Sequence, residues 1–201
     1  MRRPRGVAQV VVIVVLLLAV AIGRYPWPRV AGQAVSPTSG AAGTSTEPTA
    51  SSPDIGAGSL VAATVSRNVD GDTLHVLTSS GATEKVRFIG VNTPESTIEH
   101  EPYGKEASAY TRRRLPVGTR VWLETDVGLR DRYGRLLAYV WLSPPTGRSA
   151  AEVRAKMFNA ELLIQGYAQL MTIPPDVKYV DMFVPLQAAA RDASRGLWGL
   201  P

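Results

Sequence analysis

The stretch Leu60–Thr78, LVAATVSRNVDGDTLHVLT, decides how this chain folds. Leu60–Val69 and Thr73–Thr78 are rich in Val, Leu and Thr, and Asp70-Gly71-Asp72 breaks them apart. Branched side chains suit a pleated, half-buried surface, and Asp-Gly suits a tight reversal. The stretch therefore reads as strand, turn, strand. Further along, Glu84–Val91 has the same character and closes at Thr93-Pro94, a third strand. Tyr103–Leu115 has helical spacing, with Ala107, Tyr110, Thr111 and Leu115 on one side and Pro116 as the stop. Thr119–Thr125 and Arg135–Leu142 read as strands four and five. Ser143–Ser149, with two prolines and a glycine, reads as a loop. Ala151–Gln165 reads as a helix with Gly166 at its C-cap, and Met182–Ser194 as a last helix capped by Gly196.

Five short strands with about three interleaved helices predict a small closed barrel under helical cover. That is an α+β, mainly β architecture, of which the five-stranded OB-fold barrel is one form. No internal repeat is present.

Upstream of Leu60 the composition changes. Gly6–Gly23 is 18 residues long with Gln9 its one polar side chain, between Arg2, Arg3, Arg5 and Arg24. It is apolar on all sides, so a core helix is a poor reading and a membrane segment a good one. The flanking arginines predict a cytoplasmic N-terminus. A signal peptide ending near Ala19-Val20-Ala21 and an uncleaved signal anchor both fit residues 1–23. Residues 24–59 follow as a linker. Of the 29 residues from Ala31 to Ser59, 24 are Ala, Gly, Ser, Thr or Pro, too little apolar surface to offset the entropy of ordering. Residues 60–201 are the predicted domain. The expected location is membrane-anchored with an extracytoplasmic domain, or secreted.

The charge balance follows this division. The chain has 22 Lys+Arg and 17 Asp+Glu, a formal +5. Residues 1–59 hold five arginines and two acids, so more than half of the excess lies outside the predicted domain. There is no cysteine, which excludes disulfides, thiolate metal sites and a thiol nucleophile.

Strand alternation places Arg87 with Ile89 and Val91, Arg135 with Leu137, Tyr139 and Trp141, and Asp72 with Leu74 and Val76. A charge at the end of an apolar face is costly unless it is paired. Two readings stand at this point. The arginines pair with nearby carboxylates as structural ion pairs, or two guanidiniums and a carboxylate converge at the barrel mouth to hold a phosphate, the anion guanidinium grips in bidentate fashion. Other candidates are weaker. Glu99-His100-Glu101 reads as a metal site or, better, a solvated acidic loop. Arg112-Arg113-Arg114 suits a helix C-terminus. His75 reads as a surface or barrel-wall histidine, and Met157, Leu162 and Leu163 as core.

Taken in order, the motifs resemble the thermonuclease (staphylococcal-nuclease-like) family. They are Asp70-Gly71-Asp72-Thr73, the run Val86 to Glu95, Tyr103-Gly104-Lys105-Glu106-Ala107, Asp131-Arg132-Tyr133-Gly134-Arg135, Asn159, Gln165-Gly166 and Gly196-Leu197-Trp198. The resemblance covers about Leu60 to Leu200. It implies an OB-type barrel and calcium-dependent hydrolysis of DNA and RNA phosphodiesters by a monomer, with single-stranded or denatured substrate favoured. It implies Ca²⁺ ligation by Asp72, Asn92 and Thr93, the last through its carbonyl. It implies Glu95 as the acid that orients or deprotonates the attacking water, Arg87 and Arg135 as the phosphate clamp, and Arg132 and Tyr133 as nucleotide-pocket residues. Asn92 departs from the aspartate of the best-known member, which predicts weaker calcium binding. Two base-stacking tyrosines of that member align with Thr172 and Pro174, leaving Tyr167 and Tyr179 as possible substitutes. A second class of function is an inactive OB module that binds nucleic acid or protein without turnover.

Overall fold

A computed structural model describes residues 55–96 and 101–200. The apolar segment Gly6–Gly23, the linker through residue 54, and Glu99 and His100 lie outside the described residues. No helix among the described residues is long and apolar enough to cross a membrane.

The opening stretch folds as read. β1 (Leu60–Asp70) and β2 (Thr73–Thr78) form a hairpin around Gly71-Asp72, and β3 (Thr83–Phe88) pairs antiparallel with β2. β5 (Arg120–Glu124) lies on the other side of β1, and β6 (Leu136–Trp141) lies antiparallel to β5 and parallel to β3. The order β1-β2-β3-β6-β5 closes a five-stranded barrel. Val65, Leu74, Val76, Val86, Phe88, Leu123, Leu136 and Ala138 are buried in its core. Closure leaves no open edge among these strands. Ile55, ahead of Leu60, packs against the core as well.

The third strand differs from expectation. It stops at Phe88, and a separate short strand, β4 (Gly90–Asn92), pairs with β7 (Gln169–Met171), which sequence reading did not anticipate. The break falls at Gly90, where φ is +77° and a Cβ would sit 2.7 Å from the Phe183 ring. Only glycine adopts that conformation there without strain. The alternation predicted across the break therefore fails: Val86 and Phe88 face the core, and Arg87 points outward with Lys85. Asn159 stitches the break, accepting from Val140 N at 2.8 Å and donating to the Ile89 carbonyl at 2.8 Å while fully buried.

The described residues hold four α-helices rather than about three. α1 (Gly104–Arg114) and α4 (Val180–Asp192) correspond to predicted helices. The predicted helix 151–165 is two, α2 (Ala150–Lys156) and α3 (Phe158–Ile164), divided at Met157. Met157 is extended and bridges to Trp141, which buries its side chain where a continuous helix could not. Ser149 caps α2 by accepting from Glu152 N, and the Glu152 carboxylate accepts from the amides of Thr146, Gly147 and Arg148. The Ser149 hydroxyl thus caps the helix, and the Glu152 carboxylate folds the loop before it against the helix start.

Candidate active site

Arg87, Asp72 and Arg135 reach one place because of strand pairing. Arg87 is level with Thr73 on β2 and with Leu137 on β6. Asp72 immediately precedes Thr73, and Arg135 lies two residues before Leu137 on the same parity. The meeting point is the outer wall of the barrel, in a cleft of about 940 Å³. All eight residues singled out from the sequence line it: Asp72, Arg87, Asn92, Thr93, Glu95, Arg132, Tyr133 and Arg135.

Asp72 is nearly buried. Its Oδ1 accepts from the Thr73 hydroxyl at 3.0 Å, and its Oδ2 accepts from Thr93 N at 2.9 Å and lies 3.2 Å from Arg87 Nη1. The glycine of Asp70-Gly71-Asp72 serves more than a turn. A Cβ at Gly71 would lie 2.7 Å from the Thr93 side chain, so only glycine lets this hairpin press against Thr93. The Thr111 hydroxyl, on α1, ties the Gly71 carbonyl at 2.6 Å.

Arg87 spreads its donors over one side of the cleft. Nη1 donates to the carbonyls of Phe88 at 3.0 Å and Val91 at 2.8 Å, and Nη2 donates to Asn92 Oδ1 at 2.9 Å. Burial pulls the Arg87 pKa down, the Asp72 charge opposes this, and the Arg135 charge adds to it. That coupling places the second guanidinium within electrostatic range. Arg135 is held by Asp131, whose Oδ2 accepts from Arg135 Nε at 2.6 Å and whose Oδ1 accepts from the amides of Tyr133 and Arg135. Burial raises the Asp131 pKa, and these donors outweigh it, so the carboxyl sits below its ordinary range. Both arginines thus have carboxylate partners and also line one cleft, so the two readings of the sequence coexist.

Tyr133 projects into solvent, 68% exposed, with Arg132 over its ring at 4.8 Å and Arg135 at 5.5 Å. The exposed ring is available to stack on a base, and the two cations suit phosphate beside it. Tyr179 cannot serve this way: it is buried, and its hydroxyl bonds Glu124 at 2.9 Å. Tyr167 stacks on Tyr110 and Tyr103 instead of lining the cleft.

Glu95 lines the same cleft as the arginines, and its amide donates to the Glu101 carboxylate at 2.7 Å. Two contributors were missed as site residues. Asp131 fixes Arg135, and its spacing of four residues was the available signal. Asp70 accepts from Gly71 N at 2.8 Å and from the Ser96 hydroxyl at 2.6 Å. Its pKa is raised, first by burial and also by the neighbouring Glu95 carboxyl, against the Ser96 and Gly71 hydrogen bonds.

These groups fit a hard cation. Among the described residues no three His, Cys, Asp or Glu side chains are grouped so as to hold a metal ion between them, so any cation here depends on amide, carbonyl, water and phosphate oxygens as well. The cleft nonetheless collects oxygen donors: the carboxylates of Asp70, Asp72 and Glu95, the Asn92 amide oxygen and the Thr93 carbonyl. The Glu95 carboxyl helps to raise the Asp70 pKa, and a divalent cation beside such groups relieves that. Water and a substrate phosphate complete a sparse oxygen set of this kind.

Comparison with known proteins agrees with this geometry. The sequence pattern of the staphylococcal nuclease homologue family matches residues 85–199. A thermonuclease from Staphylococcus intermedius is 38% identical over 137 residues, 67% of this chain and 74% of that protein. A thermonuclease from Staphylococcus hyicus is 37% identical over 137 residues, 67% of this chain and 73% of that protein. Endonuclease YncB of Bacillus subtilis (strain 168) is 35% identical over 144 residues, 69% of this chain and 62% of that protein. The barrel, the ordered motifs and these matches agree that the chain belongs to the staphylococcal nuclease homologue family.

Proposed function

We propose that the protein is a calcium-dependent nuclease that hydrolyses phosphodiester bonds of DNA, RNA or both. The observation that carries this reading is the convergence of Arg87, Arg135, Asp72 and Glu95 on one cleft. Membership of a family with thermonuclease and endonuclease relatives supports it.

Asp72, Asn92 and the Thr93 carbonyl would hold Ca²⁺, with Asp70 behind them. The bound ion supplies Lewis-acid polarisation of a non-bridging phosphate oxygen. Arg87 and Arg135 bind the two non-bridging oxygens and stabilise the charge that builds on them as phosphorus becomes five-coordinate. The arriving phosphate replaces the contact Arg87 makes with Asp72, while Asp131 keeps its hold on Arg135 Nε, so little reorganisation is needed. Glu95 orients a water and takes its proton as the water oxygen bonds to phosphorus and the bond to the leaving sugar oxygen breaks. Tyr133 and Arg132 position the adjoining nucleotide.

The test is cleavage of denatured DNA by the full-length chain, with calcium and with chelator. Calcium-dependent fragmentation is the expected result. Binding that is salt-sensitive but never followed by cleavage at any pH, with calcium present, would overturn the reading in favour of an inactive binding module. We further propose that residues 6–23 target the domain outside the cytoplasm. Sequencing the mature N-terminus distinguishes a cleaved signal from an anchor.

A further inference from the structure

The barrel wall beside the cleft carries a row of cations that the proposed reaction leaves unused. Arg67 on β1 is level with His75 on β2, and His75 is level with Lys85 on β3. Val86 is level with Leu136 in the parallel β3–β6 pair, so one step back sets Lys85 level with Arg135. Strands lie about 4.8 Å apart, so the row from Arg67 to Arg135 runs about 14 Å across the sheet. Arg67 and Lys85 are exposed, and His75 is half-buried. Lys85 also lines the cleft and shares the outward face with Arg87, two residues on.

Like charges opposite one another across strands destabilise a sheet. Their mutual effect is visible at His75, whose pKa is lowered first by burial and then by Lys85 and Arg67. Among the described residues Arg67, His75 and Lys85 make no ion pair, as exposed cations elsewhere such as Arg120 and Arg154 also do not; what sets the row apart is its alignment across adjacent strands into the cleft. Two cations, Arg67 and Lys85, on either side of a neutral histidine that can donate a hydrogen bond, continuous with a phosphate-binding cleft, match a polyanion lying across the strands.

We infer that the row Arg67–His75–Lys85 binds the phosphate backbone of the single strand as it continues away from the scissile phosphate at Arg87 and Arg135. This rests on the nuclease reading and gives it a substrate class. The preferred substrate is an oligonucleotide several residues long, within the roughly 4–16 nucleotides one OB fold covers, rather than a dinucleotide.

The test compares the full-length chain with its Arg67→Gln/Lys85→Gln variant on a ten-nucleotide single strand and on a dinucleotide. Binding of the labelled ten-mer in chelator is measured by fluorescence anisotropy across a salt series. A control variant, Arg120→Gln/Arg154→Gln, removes the same charge from exposed positions outside the row. Two lost phosphate contacts should make the slope of log K against log[salt] shallower by about 1.4, at ~0.7 per single-strand contact. The ratio of kcat/KM on the ten-mer to that on the dinucleotide should fall on the order of tenfold. An unchanged slope, or an equal change in the control, overturns the inference. If the wild-type chain binds the ten-mer but never cleaves it, the nuclease reading fails while the slope still decides the row.

Discussion

Arg87 Nη1 lies 3.2 Å from Asp72 Oδ2, so the cation assigned to the phosphate and the anion assigned to the metal hold each other before substrate arrives. The other end of the guanidinium holds Asn92 Oδ1 at 2.9 Å. A neutral amide at 92 leaves Asp72 as the one charged group among the three assigned ligands. We expect Asn92→Asp to lower the calcium concentration for half-maximal activity by about 3–10-fold, because site affinity follows ligand charge. Calcium titration by calorimetry and by activity checks it. An unchanged titration would remove Asn92 from the metal's surroundings.

Glu95 and Arg135 act on the reacting atoms in the proposed mechanism. Glu95→Ala and Arg135→Ala should each lower kcat on the order of 10²-fold or more. Asp131 touches Arg135 and not the substrate, so it is a positioning residue. Asp131→Asn keeps the turn's amide acceptor and loses the charge at Arg135 Nε, and should lower kcat about tenfold with little change in thermal midpoint. Full kcat in Arg135→Ala would remove that residue from the clamp. A drop in stability without a drop in kcat would make Asp131 merely structural.

Much of this was legible in the sequence because the signals were local. The Asp70-Gly71-Asp72 turn, the Val-rich strands and the Pro116 stop each specify their own few residues. The breaks were not legible, because tertiary packing imposes them. Nothing local marks Met157 as extended, and it leaves the helix to bridge Trp141. Gly90 interrupts a good strand pattern because Phe183, 93 positions later, packs over it. The site residues were found by ordered resemblance, and alternation alone misplaced Arg87 because it carried parity through that break. Asp131 could be found only from its four-residue spacing to Arg135, and the Arg67–His75–Lys85 row depends on strand register, which a single sequence does not reveal.

Gly71 links the fold to the site. Its missing side chain lets the hairpin approach Thr93, whose side chain is nearly buried and has no room to retreat. Gly71→Ala should separate Asp72 from Thr93 and break the 2.9 Å hydrogen bond between them. The expected outcome is a loss of about 1–3 kcal/mol in unfolding free energy, the usual range for overpacking. The calcium requirement should rise at the same time. Denaturant melts and calcium titration together check this. A variant with ordinary calcium affinity would uncouple the Asp72–Thr93 contact from the metal.

Glu124 governs how the barrel responds to acid. Its carboxylate is fully buried, with Arg148 Nε at 2.8 Å and Lys178 Nζ at 2.6 Å on Oε1, and Trp141 Nε1 at 2.7 Å and the Tyr179 hydroxyl at 2.9 Å on Oε2. Burial alone raises its pKa, and the donors Lys178, Trp141 and Tyr179 outweigh burial, so the folded value lies below the ordinary 4.5. A depressed folded pKa means that the stabilisation is complete above about pH 4.5 and is lost as pH falls through the lower folded value. Glu161 and Asp131 are shifted in the same direction and are unaltered by a change at 124. Glu124→Gln should therefore cost about 3 kcal/mol at pH 7, since it neutralises one side of a buried ionic network. The variant should also lose less stability than the wild type as pH falls below 4.5. Urea melts of both proteins across the acid range measure the difference directly. Parallel stability curves would mean that Glu124 does not titrate with unfolding, and that the acid limb belongs to the other carboxylates with lowered pKa, Glu152, Glu161 and Asp131.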